Sequence, residues 1–249
     1  MDLRRLIPAA GTATAQDALG HLDLGALAPP DRPYVVANMV STLDGRAAVN
    51  GRSAPMSSAA DRALFHVLRT QVDAVMAGAG TLRTERYGPI VPKAEHRARR
   101  EALGLAARPV AVTVTRTLGL PADLPLLADP DSTLLIFTTA PGEAPPCSAT
   151  VVIERLDPSD AGMGVVMRRL RAGHGVRSLL CEGGPHLLGS LIAAGVLDEL
   201  FLSLSPLLAG DDDAPRITLG ESPGEPVALE LVGAMEHEGS LFLRYRVDR

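Results

Sequence analysis

A short apolar strand meets a helix at a pair of glycines in the sequence Ser178-Leu179-Leu180-Cys181-Glu182-Gly183-Gly184-Pro185-His186. The apolar run predicts a buried strand over residues 178–182, and Pro185 suits a first helical turn because no backbone N–H is needed there. Glycine lets a ligand approach the backbone, and a helix start offers unpaired N–H groups and a positive dipole end. This junction therefore predicts a ligand site at the carboxyl end of a strand.

A second glycine-rich junction, Ala77-Gly78-Ala79-Gly80-Thr81, follows the apolar strand predicted at residues 72–77. Neither junction is a full G-x-G-x-x-G, and the sequence holds no G-x-x-x-x-G-K-[ST]. Either one alone is typical of a tight turn. Two such junctions in a parallel sheet lie where ligands usually bind, so a nucleotide site and a pair of turns both stay open.

A third loop, Ser41-Thr42-Leu43-Asp44-Gly45-Arg46, places an acid beside a glycine at the end of the strand predicted at residues 34–40. Asp-Gly is a common turn dipeptide, which is one interpretation of this loop. The alternative is that Asp44 orients or protonates a substrate.

The order of apolar runs predicts an α/β fold with a central, mainly parallel sheet, flanking helices and an antiparallel C-terminal edge. Residues 1–33 are rich in Ala, Gly and Pro and predict an N-terminal extension with one short helix, and residues 34–249 predict the main domain. Further strands are predicted at residues 110–114, 133–138, 151–153, 199–204, 228–235 and 240–247. Helices are predicted from Ser58, where Asp61 suggests a capping box, and over residues 162–172 and 185–194. For the basic cluster at residues 96–100 we favour a solvated helix face over a phosphate site.

Composition narrows the class of function. The 249-residue chain has a net charge of −5 and 3% aromatic residues with no Trp, which argues against nucleic-acid binding. Its two cysteines and six histidines show no metal-ligand spacing, so we expect no metal site. No window approaches the ~18 apolar residues of a membrane span, and we expect a cytoplasmic protein with a small-molecule ligand and neither a nucleic-acid nor a membrane partner.

Three segments in order resemble the riboflavin-pathway pyrimidine reductase family: Asn38-Met39-Val40-Ser41-Thr42-Leu43-Asp44-Gly45-Arg46, Gly78-Ala79-Gly80-Thr81 and Glu182-Gly183-Gly184-Pro185-His186-Leu187-Leu188. That family is the C-terminal reductase half of bifunctional riboflavin deaminase-reductases and has a dihydrofolate-reductase-like fold. The resemblance runs from about Pro33 to the C-terminus. It implies an NADPH-dependent reduction of a ribosylaminopyrimidine 5′-phosphate to its ribitylamino product, by a homodimer.

The resemblance also implies a set of site residues. Asp44 and Glu182 are the expected catalytic residues. The expected substrate contacts are Ser53, Arg69 and Glu182. The expected cofactor contacts are Gly78, Gly80, Thr81, Glu85, Thr115, Arg116, Gly183, Gly184, Pro185, His186 and Leu187. Arg116 is expected at the 2′-phosphate, which favours NADPH over NADH.

One segment departs from the family pattern. Members often carry T-x-x-x-D-D-P, whereas this sequence reads Thr81-Leu82-Arg83-Thr84-Glu85-Arg86-Tyr87-Gly88-Pro89. A downstream substrate arginine of the family falls near Pro92-Lys93, and Lys93 or Arg97 is the candidate replacement. Two alternative functions therefore stay open: a dihydrofolate or pterin reductase on the same fold, and a non-catalytic paralogue that binds nucleotide.

Overall fold

The computed structural model describes residues 1–220 and 222–248, and within these ranges the strands form a single eleven-stranded sheet. The strands are β1 (Leu3–Ile7), β2 (Gly11–Ala13), β3 (Tyr34–Thr42), β4 (Ala74–Met76), β5 (Val110–Thr115), β6 (Thr133–Thr138), β7 (Thr150–Arg155), β8 (Ser178–Cys181), β9 (Glu199–Ser205), β10 (Leu229–His237) and β11 (Ser240–Val247). The α-helices are α1 (Ala15–Leu19), α2 (Ala59–Arg69), α3 (Ala79–Thr84), α4 (Ala94–Ala102), α5 (Pro125–Ala128), α6 (Met163–His174) and α7 (Pro185–Ala193).

The sheet has a parallel part and an antiparallel part, in the order β2-β1-β10-β11-β9-β3-β8-β4-β5-β6-β7. Every neighbouring pair from β9 to β7 is parallel, and β11, β10, β1 and β2 continue the sheet in antiparallel pairs. Val35, Val36 and Ala37 of β3 are fully buried, as expected for a parallel strand covered on both faces. The predicted fold class is confirmed.

Two apolar layers enclose the parallel strands. Helices α2, α3 and α5 contribute apolar side chains to the core on one face, and α6 and α7 contribute to the core on the other face. Strand β8 comes late in the chain but lies between β3 and β4. This crossover brings the loops after β3, β4 and β8 to the same edge of the sheet, which is where ligands bind in open parallel sheets.

The N-terminal 33 residues contribute more than the predicted short helix. Helix α1 is present, with a capping box between Thr14 and Asp17. Strands β1 and β2 were not predicted, and β1 pairs with β10 with Arg4 opposite Glu236. The strand signal in this part of the sequence is weak, because Leu3–Ile7 contains two arginines and Gly11–Ala13 is short. Pairing of β1 with β10 stabilises these strands.

The basic cluster lies on α4, but the predicted solvated face is wrong for Arg100. Its side chain is fully buried and donates to the carbonyl oxygens of Arg69, Val72 and Ala106 at 2.7, 2.6 and 2.8 Å. The carbonyls of Arg69 and Val72 lie at the C-terminal end of α2, where a cation is favoured by the helix dipole, and that of Ala106 lies just beyond α4. Arg100 therefore joins α4 to the end of α2.

Within residues 1–220 and 222–248, no helix is long and apolar enough to cross a membrane. In the same ranges no three His, Cys, Asp or Glu side chains group as a metal site would require.

Candidate active site

A large cleft opens at the carboxyl ends of β3, β4, β5, β6 and β8, and one face of α2 forms a further wall. Its volume is about 1610 Å³. Single small-molecule pockets usually have volumes of about 300–1,000 Å³. The cleft therefore has room for two ligands side by side.

The two glycine junctions touch each other in this cleft. The Gly78 amide donates to the Gly183 carbonyl oxygen at 2.8 Å. A Cβ atom on Gly184 would lie 2.9 Å from Thr81 Oγ1, and one on Gly78 would lie 3.4 Å from the Gly184 nitrogen. At Gly184 any side chain would have to displace the Thr81 hydroxyl, and at Gly78 it would lie directly against the Gly184 backbone. These contacts bring the two junctions together in one cleft, and their role as a nucleotide site stays a prediction.

The start of α7 leaves its backbone N–H groups open to the cleft. Among the described residues, no side chain caps this helix at Gly184, and Pro185 occupies its first turn. His186 is exposed and Leu187 is buried, and both line the cleft together with Gly183 and Gly184. Uncapped amides at the N-terminus of a nine-residue helix suit an anionic group such as a pyrophosphate.

Two buried side chains, Arg69 and Glu182, and the half-buried Tyr87 form a polar cluster on the α2 side of the cleft. Arg69 donates through Nε and Nη2 to the two carboxylate oxygens of Glu182, each at 2.7 Å. The Tyr87 hydroxyl donates to Glu182 Oε2 at 2.9 Å, and Arg69 Nη1 donates to the Ile90 carbonyl at 2.8 Å. The structure therefore brings the expected substrate residues Arg69 and Glu182 together as a bidentate ion pair.

The electrostatics of this cluster keep Arg69 charged and Tyr87 neutral. Burial alone would lower the pKa of Arg69, but the charge and hydrogen bonds of Glu182 outweigh it and raise that pKa. Burial, followed by the negative charge of Glu182, raises the pKa of the Tyr87 hydroxyl well above its ordinary value. Tyr87 is thus a hydrogen-bond donor across the working pH range.

Ser53 and Glu85, expected at the substrate and at the cofactor, bind each other. Both the Ser53 amide and its hydroxyl donate to Glu85 Oε1, at 3.0 and 2.9 Å. Both residues line the cleft, along with Gly78, Gly80 and Thr81. The contact fixes the loop after β3 to Glu85, the C-cap residue that follows α3, next to the glycine junctions.

Thr115 ends β5 and Arg116 follows it, and both lie at the rim of the cleft. The Thr115 hydroxyl donates to the Thr117 carbonyl at 2.5 Å. Arg116 is exposed and has no hydrogen bond or ion pair to any other residue that the structure describes. Its guanidinium is therefore available to an anionic group at the rim.

The structure does not bring Asp44 into the cleft. Asp44 is exposed, and it is not one of the described residues that line the cleft. Its carboxylate accepts hydrogen bonds from the Thr42 hydroxyl and from the amides of Ala209 and Gly210, at 2.5, 3.1 and 2.8 Å. These three donors hold the pKa of Asp44 well below its usual range. This placement favours the turn interpretation, and the catalytic role stays a prediction.

Lys93 and Arg97 are also absent from the cleft lining among the residues described. Lys93 forms an exposed ion pair with Glu95, and Arg97 donates to the carbonyls of Val91 and Pro92. The proposal that Lys93 or Arg97 replaces the family's downstream arginine stays a prediction, and no contact that the structure describes for either residue supports it.

Of the cleft-facing stripe of α2, formed by Asp61, Phe65 and Arg69, sequence reasoning named Arg69 as a site residue but missed Asp61 and Phe65. Their spacing of four residues places them on one helix face, and this periodicity could have revealed them. The Arg69 Cζ atom lies 4.1 Å from the centre of the Phe65 ring. Asp61 was predicted as a capping acid, which is wrong for its side chain. Its amide donates to the hydroxyl oxygen of the N-cap residue Ser58, but its carboxylate accepts hydrogen bonds from the hydroxyls of Ser57 and Ser203.

Comparison with known proteins agrees with the fold and the motifs. A 2,5-diamino-6-ribosylamino-4(3H)-pyrimidinone 5′-phosphate reductase of Archaeoglobus fulgidus is 29% identical over 194 residues, covering 77% of this chain and 88% of that protein. A protein of the same name from Methanothermobacter thermautotrophicus is 28% identical over 224 residues, covering 87% of this chain and 99% of that protein. The crystal structure of a pyrimidine reductase-like protein from Corynebacterium diphtheriae superposes with a TM-score of 0.75 at 22% identity, covering 95% of this chain and 100% of that one.

The family resemblance found in the three motifs is confirmed by a match along most of the chain. Residues 33–240 match the family of the RibD C-terminal domain, and the match includes both glycine junctions, Arg69, Tyr87 and Glu182. This chain therefore belongs to the RibD C-terminal domain family.

Proposed function

We propose that this chain is an NADPH-dependent reductase of riboflavin biosynthesis, which converts a ribosylaminopyrimidine 5′-phosphate to the ribitylamino product. The observation that carries the proposal is the juxtaposition of the glycine contact and the Arg69–Glu182–Tyr87 cluster in one cleft of about 1610 Å³. The names of the two archaeal relatives support the same reaction.

The residues around the glycine contact fit a dinucleotide. The absence of side chains at Gly78, Gly183 and Gly184 lets a pyrophosphate approach the backbone, and α7 directs uncapped N–H groups toward it. Thr81, Pro185, His186 and Leu187 line the same wall of the cleft. Arg116 and Thr115 would meet the 2′-phosphate at the rim, which is the reason to propose NADPH rather than NADH.

The reaction needs a hydride and a proton. The reduced nicotinamide, when bound, supplies the hydride. The ribosylamine opens to an imine, its sugar carbon accepts the hydride, and its nitrogen accepts the proton. Arg69 and Tyr87 fix the Glu182 carboxylate so that this wall of the cleft holds one shape. We infer that the chain accelerates the reaction chiefly by holding the sugar carbon in contact with the nicotinamide carbon that would supply the hydride.

The decisive experiment is steady-state NADPH oxidation with the ribosylaminopyrimidine phosphate, with the ribitylamino product identified by mass spectrometry. Dihydrofolate is the matched second substrate, because the departures around Arg86 to Lys93 left a pterin reductase open. We expect kcat/KM for the pyrimidine phosphate to be at least ~10² times that for dihydrofolate. Oxidation with dihydrofolate alone would identify the pterin reductase, and NADPH binding without oxidation would identify the non-catalytic paralogue.

We further propose that the enzyme works in the cytoplasm as a homodimer. Both cysteines are free thiols, Cys147 exposed and Cys181 buried, as suits a reducing compartment. The surface proposed for the dimer is an apolar face of the C-terminal strands.

A further inference from the structure

Asp61 is a buried carboxylate in the cleft with hydroxyl partners and no cation. It is 7% exposed and lies on the first turn of α2. Its Oδ2 accepts the Ser57 hydroxyl at 2.5 Å, and its Oδ1 accepts the buried Ser203 hydroxyl at 2.6 Å. No ion pair joins it to any basic side chain within residues 1–220 and 222–248.

Glu182, the other buried carboxylate of the cleft, differs from Asp61 because it is paired with a cation. Its charge is neutralised by Arg69, and Tyr87 occupies a third acceptor position. A carboxylate offers about four acceptor positions, so Glu182 has little capacity left for a substrate. Asp61 keeps one free position on each oxygen and an uncompensated charge. Of the two buried carboxylates of the cleft, Asp61 is therefore the one that is able to accept donors from a ligand.

The surroundings of Asp61 suit a flat heterocycle. Phe65 follows it by one helical turn, and the two side chains face the same cleft. The rise of an α-helix places residues four apart about 6 Å from each other along the axis. A pyrimidine ring lying against the Phe65 side of α2 would thus have one edge within reach of the Asp61 oxygens.

We propose that Asp61 binds the ring N–H and the exocyclic amino group of a 2-amino-4-oxopyrimidine, and so makes the site select 2-amino over 2-oxo substrates. The proposal rests on the proposed function, whose substrate it specifies. Two adjacent N–H donors match the two carboxylate oxygens in a bidentate pair. In the 2-oxo compound the ring N–H still donates to one carboxylate oxygen, but a carbonyl oxygen would face the other, which costs one hydrogen bond and sets two lone pairs in repulsion.

The test is binding to the wild-type protein, measured by calorimetry with the 2-amino ribosylaminopyrimidine phosphate and with its 2-oxo counterpart. We expect the 2-amino compound to bind at least ~10² times more tightly, on the scale by which a site built for hydrogen bonds rejects an analogue that lacks them. Equal affinities, tighter binding of the 2-oxo compound, or binding of neither compound would overturn the proposal.

The variant Asp61→Asn tests the residue itself. The amide keeps an acceptor for one serine but loses the charge and one acceptor, so we expect the preference to fall below ~10-fold, with the 2-amino compound losing most. Asp73→Asn is the matched control, because Asp73 also accepts a serine hydroxyl, from Ser178, but lies outside the described lining of the cleft. An equal loss for both ligands in Asp61→Asn would contradict the proposal.

Two further arms separate this proposal from the proposed function. Dihydrofolate carries the same 2-amino-4-oxopyrimidine edge, so its binding should also weaken in Asp61→Asn, whichever compound is turned over. Selective binding without NADPH oxidation would leave the role of Asp61 standing and reject the reductase. Oxidation of NADPH with equal kcat/KM for the 2-amino and 2-oxo phosphates would support the reductase and reject the role of Asp61.

Discussion

A Cβ atom built on Gly184 would lie 2.9 Å from Thr81 Oγ1, at the wall of the cleft where we place the pyrophosphate. The backbone of Gly184 has a φ of −73°, so the constraint there is space, whereas Gly183 has a φ of +81° that favours glycine itself. We expect Gly184→Val to abolish most NADPH binding while the protein stays folded, as measured by calorimetry and circular dichroism. Gly173→Val on α6 is the control, because no atom lies within 4 Å of its Cβ position. Normal NADPH affinity in Gly184→Val would remove the pyrophosphate from this junction.

Arg116 decides the cofactor preference if the rim of the cleft holds the 2′-phosphate. We expect Arg116→Ala to weaken NADPH binding by roughly 10- to 100-fold, the scale of a lost charge-assisted hydrogen bond, and to leave NADH binding nearly unchanged. The measurement is the dissociation constant of each cofactor. Arg168→Ala removes an exposed arginine of α6 outside the described cleft lining and should change neither. An equal loss for the two cofactors would contradict this placement.

Asp44 is better explained by its loop than by the reaction. Asp44→Asn removes the charge that binds the amides of Ala209 and Gly210. We expect a lower melting temperature with kcat changed by less than ~10-fold, whereas loss of a general acid or base would lower kcat by roughly 10²–10⁴-fold. A kcat loss of that size with an unchanged melting curve would restore Asp44 to the catalytic residues.

The pH dependence of the stability lost in Asp44→Asn follows from the lowered pKa of Asp44. A carboxyl whose folded-state pKa is depressed adds stability above its unfolded-state pKa of about 3.9, and this stability is lost as the pH falls toward the folded-state pKa. The difference in melting temperature between wild type and Asp44→Asn should therefore be full at about pH 7 and shrink below about pH 4. A difference that grew on acidification would contradict the assignment.

At the scale of elements, Arg100 connects α4 to α2 and thereby supports Arg69. Burial lowers the pKa of its guanidinium to about 10, and its hydrogen bonds go to backbone carbonyls. Arg100→Met would leave the carbonyls of Arg69, Val72 and Ala106 without this donor. We expect a loss of about 3 kcal/mol or more in the free energy of unfolding, measured with urea, and a smaller loss for Arg100→Lys. Arg168→Met, on the surface of α6, should be nearly neutral.

Elements that depend on local sequence were predictable, and those that depend on distant pairing were not. The continuous apolar runs of β3 and β6 indicated buried strands, and the glycines indicated where the ligand edge lies. Strands β1 and β2 required β10 as a partner, from the other end of the chain. In the site, Glu182 lies 113 residues from Arg69, and Ser203 lies 142 residues from Asp61. No local pattern specifies such pairs, because only the insertion of β8 and the position of β9 beside β3 bring their side chains together.

At the scale of the whole molecule, the antiparallel part of the sheet leaves an apolar face open. Leu202 and Leu204 of β9 pair with Leu243 and Leu241 of β11, and Tyr245 pairs with Leu231 of β10. Alternation along each strand puts these side chains on one face. We call this surface the leucine face and define it by residues Leu202, Leu204, Leu229, Leu231, Leu241 and Leu243. Leu229 and Leu231 remain 41% and 38% exposed.

An apolar sheet face of this kind marks an interaction surface, and a second copy is the occupant that we propose, since one patch is self-complementary about a two-fold axis. We expect light scattering to give about twice the 26.0 kDa of one chain. Leu229→Glu with Leu231→Glu should shift the protein to monomers, because burying two carboxylates against a second leucine face costs several kcal/mol. Leu103→Glu, at a leucine that is 47% exposed beyond α4, should leave the dimer intact. A monomeric wild type, or a double variant that stays dimeric, would show that the leucine face is not the interface.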